Sequence, residues 1–518
     1  MSGQSGQLKG VYVHDNTWQL AQDTALPPSQ ASRRQFFFTI PSAAHDVHHA
    51  YAPVSKLGAV LTGEAAWGEA HVATFCSSIV RLDDGRYRMY YTATSANRGE
   101  MWIAVAESED GLSWRKLPLG QHTADGQPTN RVVFQGLEDQ HALVQPQVLR
   151  LPGGRWRMYF WRHAPQNLRY LVAHSTDGLC WQVDDPPRAT LVHPNLLGPE
   201  STIDGWAPPA RPSEASGEDP WQLKALRTND ACYVYHNALQ GRYEFYAPWL
   251  VPAVPDRRVE VDNAPHWHRY IHRRVSEDGL HWSAPELILV PDERDPWDLQ
   301  FYYLAVQWHE DWMIGSLGHY RVEAGQQTQD LALAFSRDGR TWHRPLRGGF
   351  IPRQASAVPT LQALPEPAAD AMGIYAPNAW IDEGQTWLCL YSGTHLPHNR
   401  AWGDAARPRP IMGARWPKHR FVGLEAGRVA GGFMSEPFYP QGDTITLDAD
   451  IRGWLRAELC DVFGRKHEGY HLMDAVPVTG DRTAHALRWE GVDTRRFRHD
   501  AVRLRFEYVD GVVYGIAF

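Results

Sequence analysis

All-β is the fold class this sequence predicts. Three observations predict it: an aromatic-rich, turn-rich composition, a heptapeptide that occurs four times, and a strand–turn–strand pattern that precedes it. Trp, Tyr and Phe make up 12% of the 518 residues, beside 43 Gly and 37 Pro. Aromatic side chains favour the pleated, half-buried surface of a sheet, and Gly and Pro set its turns. A chain this long exceeds one hydrophobic core, so more than one domain is expected. Against 51 Lys+Arg stand 59 Asp+Glu, a net charge of −8. No basic excess is present to neutralise a phosphate backbone, which argues against a nucleic-acid partner. Mean hydropathy is −0.46; with no apolar run of about 18 residues, no membrane span is expected.

The heptapeptide is Ser-x-Asp-Gly-x-x-Trp. It runs from Ser108 to Trp114, Ser175 to Trp181, Ser276 to Trp282 and Ser336 to Trp342. Each copy follows a short apolar strand such as WIAVAES or LALAFS. Asp-Gly provides the positive-φ residue of a tight turn, and the Trp opens the returning strand over it. A scaffold role is therefore expected. Upstream lies the second pattern, strand, tight turn and aromatic strand, at residues 76–94, 144–163, 232–249, 302–319 and 375–393. Together the two patterns make four-stranded antiparallel units, and five such units in sequence predict a five-bladed β-propeller over residues 1–430. The fifth unit lacks the Asp-Gly heptapeptide and is expected to pair near Ile411 to Arg415. The stretch Gly10 to Leu20 is expected to close the ring as an added strand.

The blade pattern stops near Gly432. DTITLDADI, WLRAELCDV, HALRWEG, VRLRFEY and VVYGIAF then alternate as short strands. They predict a C-terminal β-sandwich over residues 431–518. Cys76, Cys180, Cys232, Cys389 and Cys460 are scattered and contain no CxxC, so reduced, mostly buried thiols are expected. MSGQSGQLKG has no basic stretch followed by an apolar one, which predicts a cytoplasmic protein.

This layout resembles the furanosidase-type glycoside hydrolases, the β-fructosidase, arabinanase and β-xylosidase group. It is most similar to bacterial proteins called glycosyl-hydrolase-32-like, through the blade 4 segment and the ending VRLRFEYVDGVVYGIAF. The adjacent Asp-Gly of each turn sets it apart from sialidase-type propellers, whose turn motif separates the two. The resemblance implies a central pocket at the start of the inner strands. It also implies an Asp nucleophile or base from blade 1, a stabilising Asp from blade 2 and a Glu acid from blade 3.

This sequence departs from that pattern. Blade 1 offers Phe75 and Cys76 where an acid is expected, with Glu69 and His71 the nearest alternatives. Blade 2 reads Gln145-Pro146-Gln147-Val148 where the resemblance implies Asp-Pro-x-Val; Glu138 and Asp139 lie in the preceding loop. Blade 3 places Asp230 at the strand mouth. In blade 4 Asp298 is the expected inward carboxylate, with Trp297 beside it to stack on a sugar face. Blade 5 offers Tyr375 and Asn378 as hydrogen-bonding groups. The expected catalytic set is thus Asp298, Asp230 and Glu69, since glycoside hydrolysis needs one group to protonate the leaving oxygen and another to attack or activate water. Gln145, Trp297, Tyr375, Asn378, His71, Glu138 and Asp139 are the expected substrate contacts. The expected function is a glycoside hydrolase acting on a small oligosaccharide or glycoside. A lyase or metal-assisted enzyme, or a sugar-binding propeller without catalysis, is the alternative. No cofactor motif is present and none is expected; His266 and His268 on one strand face keep a divalent metal open. The expected partners are a small carbohydrate and further copies of the chain, with no residue that identifies the contact between copies.

Overall fold

A computed structural model describes residues 34–96, 99–164, 167–184, 189–192, 230–238, 240–252, 267–323, 325–353, 368–398, 407–442 and 444–518. Among them the chain is all-β. The described helical segments are single 3₁₀ turns at Ala65–Trp67 and Arg495–Phe497. No helix among the described residues is long and apolar enough to cross a membrane.

The five sequence units are strand sets. Unit 1 pairs His71–Arg81, Tyr87–Thr94, Met101–Ser108 and Arg115–Lys116 in one antiparallel sheet. Unit 2 is built on Leu143–Leu151, Arg155–Ala164, Asn167–Ser175 and Trp181–Val183, and unit 3 on Tyr233–Asn237, Arg242–Pro252, Trp267–Ser276 and Glu286–Leu289. Unit 4 holds Gln300–His309, Trp312–Glu323 and Gln326–Ser336. A parallel bridge from Gln329 to Gly373 joins it to unit 5. In unit 5, Thr386–Thr394 pairs with Gly373–Tyr375, Ile381–Asp382 and Ile411–Pro417. Its outer strand comes from the N-terminal side: Ser55–Leu61 pairs antiparallel with Ile411–Pro417. The N-terminal strand expected at Gly10 to Leu20 lies outside the described residues. SKLGAVL alternates too weakly for Ser55–Leu61 to stand out in the sequence.

The heptapeptides are side-chain-capped turns. In the first, the Gly111 N–H donates to Ser108 Oγ (2.8 Å). The Leu112 and Ser113 N–H groups donate to Asp110 Oδ1 (2.8 and 2.7 Å), and Trp114 Nε1 donates to the Gly111 carbonyl (2.8 Å). The backbone donors hold the Asp110 carboxyl down at about 2. The second and third turns also dock on the preceding unit. Tyr90 Oη donates to the Gly178 carbonyl (2.7 Å) and Tyr159 Oη to the Gly279 carbonyl (2.8 Å). These glycines have φ of 72°, a conformation other residues seldom adopt.

A second set of bonds links the inner strands in a cycle. The Val148 N–H of unit 2 donates to Ser78 Oγ of unit 1 (2.7 Å), and the Val234 N–H of unit 3 donates to Gln147 Oε1 of unit 2 (3.4 Å). The Val306 N–H of unit 4 donates to Tyr235 Oη of unit 3 (2.7 Å), and the Trp380 N–H of unit 5 donates to Gln307 Oε1 of unit 4 (3.3 Å). The Ile79 N–H of unit 1 then donates to Asn378 Oδ1 of unit 5 (3.0 Å), returning to the start. All five acceptor residues are buried, where a polar atom without a partner is costly.

The C-terminal sheet has eight strands. Thr446–Asp461 and Val502–Ala517 pair along their length, and Val478–Ala486 adds to the first. Gly431–Met434 belongs to the sheet too, and Arg34–Phe36, Ser42–His45, Val47–Tyr51 and Val422–Ala426 complete it from the other side of residue 431. Its own core gathers Phe37, Leu424, Phe433, Leu455, Trp489 and Phe506. No disulfide joins the five cysteines, and all but Cys180 are buried.

Candidate active site

The inner strands of units 1, 2 and 4 each carry a register shift near their start: between Ala73 and Ser78, between Val144 and Gln147, and between Phe301 and Leu304. Cys76 and Gln145 in these bulges take positive φ, 48° and 58°. A bulge bends a strand and re-aims its side chains. Here the bulged positions and the strand starts of units 3 and 5 meet.

At the meeting point is the Asp230 carboxylate of unit 3. Gln145 Nε2 from unit 2 donates to Oδ2 and Tyr302 Oη from unit 4 donates to Oδ1, both at 3.3 Å. The Tyr302 ring stacks on Phe75 of unit 1 (centroids 5.7 Å apart, planes 13°). Phe75 in turn meets Tyr375 of unit 5 edge-on at 5.0 Å. One side chain from every unit is thereby joined. Tyr375 Oη lies 2.8 Å from His398 Nδ1, with the donor set by the imidazole tautomer. His398 also packs on the rings of Tyr302 (4.8 Å) and Tyr320 (5.4 Å). The Arg269 guanidinium covers Tyr320 (4.8 Å) and Tyr302 (5.5 Å) and donates to Gln300 Oε1 (2.6 Å).

Burial pushes the Tyr302 phenol well above its ordinary value; the Asp230 charge adds to the shift and Arg269 opposes it. Burial likewise raises Tyr375, opposed by Arg409 and helped by Asp230. Both phenols therefore stay protonated near neutral pH and act as O–H donors. Phe75, Asp230 and His398 are only partly buried, so an acceptor carboxylate, an imidazole and an aromatic face are accessible to a ligand. Such a set can hold a sugar ring against its apolar face and exchange a proton with a neighbouring oxygen.

Asp230, Gln145 and Tyr375 are thus brought together. The other expected site residues make different contacts or are exposed. Glu69 is buried and ion-paired to Lys116, and it accepts from Tyr91 Oη (2.9 Å) and the Glu64 N–H (3.0 Å). None of these partners belongs to the Asp230 cluster. The Glu69 oxygens hold the loop at Glu64 to unit 1. Asp298 is also buried. Arg321 Nη2 (3.0 Å) and the Val322 N–H (3.0 Å) take its two oxygens, so it clamps the end of a neighbouring strand. Asn378, expected to touch substrate, is 1% exposed and belongs to the hydrogen-bonded cycle. His71 is buried and its Nδ1 accepts the Arg409 N–H (3.1 Å). Asp139 pairs with Arg162 and caps the His141 N–H (2.9 Å), and Glu138 beside it is exposed. Trp297 is 58% exposed next to Asp298.

Tyr302, Tyr320 and His398 are additions that the sequence does not single out. Tyr302 lies in the blade 4 segment, but the bulge that turns it inward leaves no mark in an aromatic run. His398 sits on a connection without repeat signal.

No protein-family description and no curated protein matches this chain. Solved structures similar to it include the BT0996 protein in an RGII complex, with 15% identity and a TM-score of 0.44 over 70% of this chain and 92% of that one. A glycoside hydrolase is similar with 14% identity and a TM-score of 0.44 over the same shares. An N-acetylgalactosamine deacetylase from F. plautii, in complex with blood group B trisaccharide, has 14% identity and a TM-score of 0.39 over 70% of this chain and 95% of its own.

Proposed function

We propose that the protein is a carbohydrate-active enzyme, a glycoside hydrolase that takes a small oligosaccharide or glycoside at the centre of a five-bladed propeller. The propeller comprises residues 1–430. Residues 431–518 form a bracing β-sandwich, completed by strands from the N-terminal side. The observation that carries this reading is the meeting of one side chain from each of the five units at Asp230. The closed cycle of five hydrogen bonds beneath it supports the propeller. Asp230 is the acid–base carboxylate, Tyr302 and Gln145 orient it, and Phe75 with Tyr375 forms the wall for the sugar face. The test is Asp230→Asn against a panel of aryl glycosides and oligosaccharides. Loss of about 10²–10⁴-fold in kcat is expected for a general acid–base group, and undiminished turnover would overturn the assignment.

One observation favours a second reading. Glu69 and Asp298 are held by cations, and Asp230 meets the Tyr302 phenol and the Gln145 amide, with the Tyr375 phenol bonded to the His398 imidazole close by. That set suits proton abstraction and β-elimination in a lyase, with Tyr375 and His398 passing the proton. An unsaturated product absorbing in the ultraviolet, diminished in Tyr375→Phe, would favour it over hydrolysis. Cytoplasmic residence and self-association belong to the same proposal, and cell fractionation and light scattering test them.

A further inference from the structure

We propose that His309, Glu310 and His419 form a binding site for a divalent transition metal, zinc by its ligand types, which fastens unit 4 to the segment leading into the C-terminal sheet. The three residues offer one ligand atom each, and these atoms all lie within 4.8 Å of one another. His309 Nε2 and His419 Nδ1 are 2.9 Å apart. Zinc bonds of about 2.0–2.2 Å set tetrahedral ligand atoms about 3.3 Å apart. The imidazoles therefore need to part slightly and the carboxylate to close in.

Adjacent residues on an extended strand point to opposite faces, so His309 and Glu310 would not ordinarily share a ligand. They do here because Glu310 takes φ of 53° in the two-residue turn between His309 and its partner Trp312. The tight turns of units 1, 2 and 5 put glycine at positive φ, as at Gly85, Gly153, Gly154 and Gly384. Unit 4 places a glutamate in that strained conformation, which ordinarily favours Gly or Asn. The outcome is a carboxylate beside two imidazoles.

The surroundings suit an ion. Rings of Phe36 (5.5 Å), Phe421 (5.1 Å) and Trp387 (5.6 Å) pack around the buried His309, while Glu310 and His419 are half-buried. The nearby cations are answered by acids: Lys418 by Asp382 (2.6 Å), and Arg420 by Asp448 (2.7 Å) and Asp481 (2.6 Å). Arg34 also lies near Asp448 and Glu310. Arg34, Lys418 and Arg420 are thus matched by Glu310, Asp382, Asp448 and Asp481. On binding, the hydrogen between the rings moves to the far nitrogen of its own imidazole. Both facing lone pairs then reach the metal, with a water as fourth ligand. The bond ties the turn after Gln300–His309 to the segment between Ile411–Pro417 and Val422–Ala426.

The experiment uses the full chain, stripped of metal and titrated with Zn²⁺ against a chromophoric competitor. Wild type is expected to bind one equivalent more than His419→Ala and than Glu310→Gln. Zn²⁺ is also expected to raise the Tm of wild type and leave both variants unmoved. Equal stoichiometry in all three, or an equal Zn²⁺-induced Tm shift in wild type and Glu310→Gln, overturns the proposal. Glu310→Gln keeps the turn residue's shape, so the comparison stands even where His419→Ala does not fold.

Discussion

Asn378 separates a scaffold role from a binding role, and Asn378→Ala tests it. In the folded protein its Oδ1 accepts the Ile79 N–H (3.0 Å) and its Nδ2 donates to Ser78 Oγ (2.9 Å). These bonds close the cycle between units 5 and 1, at a residue 1% exposed. Removing the amide leaves a buried backbone donor unsatisfied, at about 1–3 kcal/mol. Loss of the bond to Ser78 adds about 1 kcal/mol. The expected cost is about 3 kcal/mol. Unfolding entropy is about 2.1 cal/mol/K per residue, so over 518 residues this lowers Tm by about 3 °C if the chain unfolds as one unit. Differential scanning calorimetry reads the shift. An unchanged Tm together with a raised KM for a processed glycoside would refute the reasoning. It would return Asn378 to the substrate-binding role its position in the sequence suggests.

Two further substitutions probe the turns. Gly279→Ala is expected to destabilise by about 2–4 kcal/mol, because its new Cβ would sit 2.4 Å from Tyr159 Oη at φ of 72°. Gly153→Ala, at φ of 81° with nothing within 4 Å, should cost only about 1–2 kcal/mol for its backbone; equal losses by denaturant titration would contradict the docking of the turn on Tyr159. For Asp110 the folded pKa of about 2 lies below its ordinary value of 3.8. Its contribution is therefore fully present above pH 4 or so and is lost as pH falls toward 2. Wild type should lose more stability than Asp110→Asn between pH 5 and pH 3 in paired melts, and parallel losses would count against the cap.

Local features carried the fold into the sequence. Each heptapeptide folds on itself: Ser108, Asp110 and Gly111 bond within four residues, so the turn is complete in the motif that announces it. The strand that completes unit 5 is harder to read. Ser55–Leu61 pairs with Ile411–Pro417 across most of the chain, and a bond of that span has no local signature. The site divides in the same way. Asp230, Gln145 and Tyr375 stand close to the ends of their strands, which repeat counting locates. For Glu69 and Asp298 the sequence is silent on their partners, because a carboxylate reads identically whether it faces a ligand or a cation. Their partners, Lys116 and Arg321, are 47 and 23 residues away. Tyr302 escapes for a third reason: the shift between Phe301 and Leu304 breaks the alternation by which strand faces are assigned.

The cycle and the site are two layers of the same five strands. In every unit the residue that meets at the centre lies a few positions before the one that bonds the next unit: Phe75 before Ser78, Gln145 before Gln147, Asp230 before Tyr235, Tyr302 before Gln307 and Tyr375 before Asn378. The first layer mixes aromatic rings, an amide and a carboxylate, and part of it is open to solvent. The second is buried and entirely polar at its bonding atoms, and each of those atoms accepts a neighbouring strand's N–H. Because those bonds fix one strand start against the next, the geometry around Asp230 is set before any ligand arrives, as a pre-organised site requires. The layers should therefore differ in what their substitution changes. Alterations of the cycle should move stability and the site together, whereas Asp230→Asn or Tyr302→Phe should alter chemistry on a scaffold that still closes.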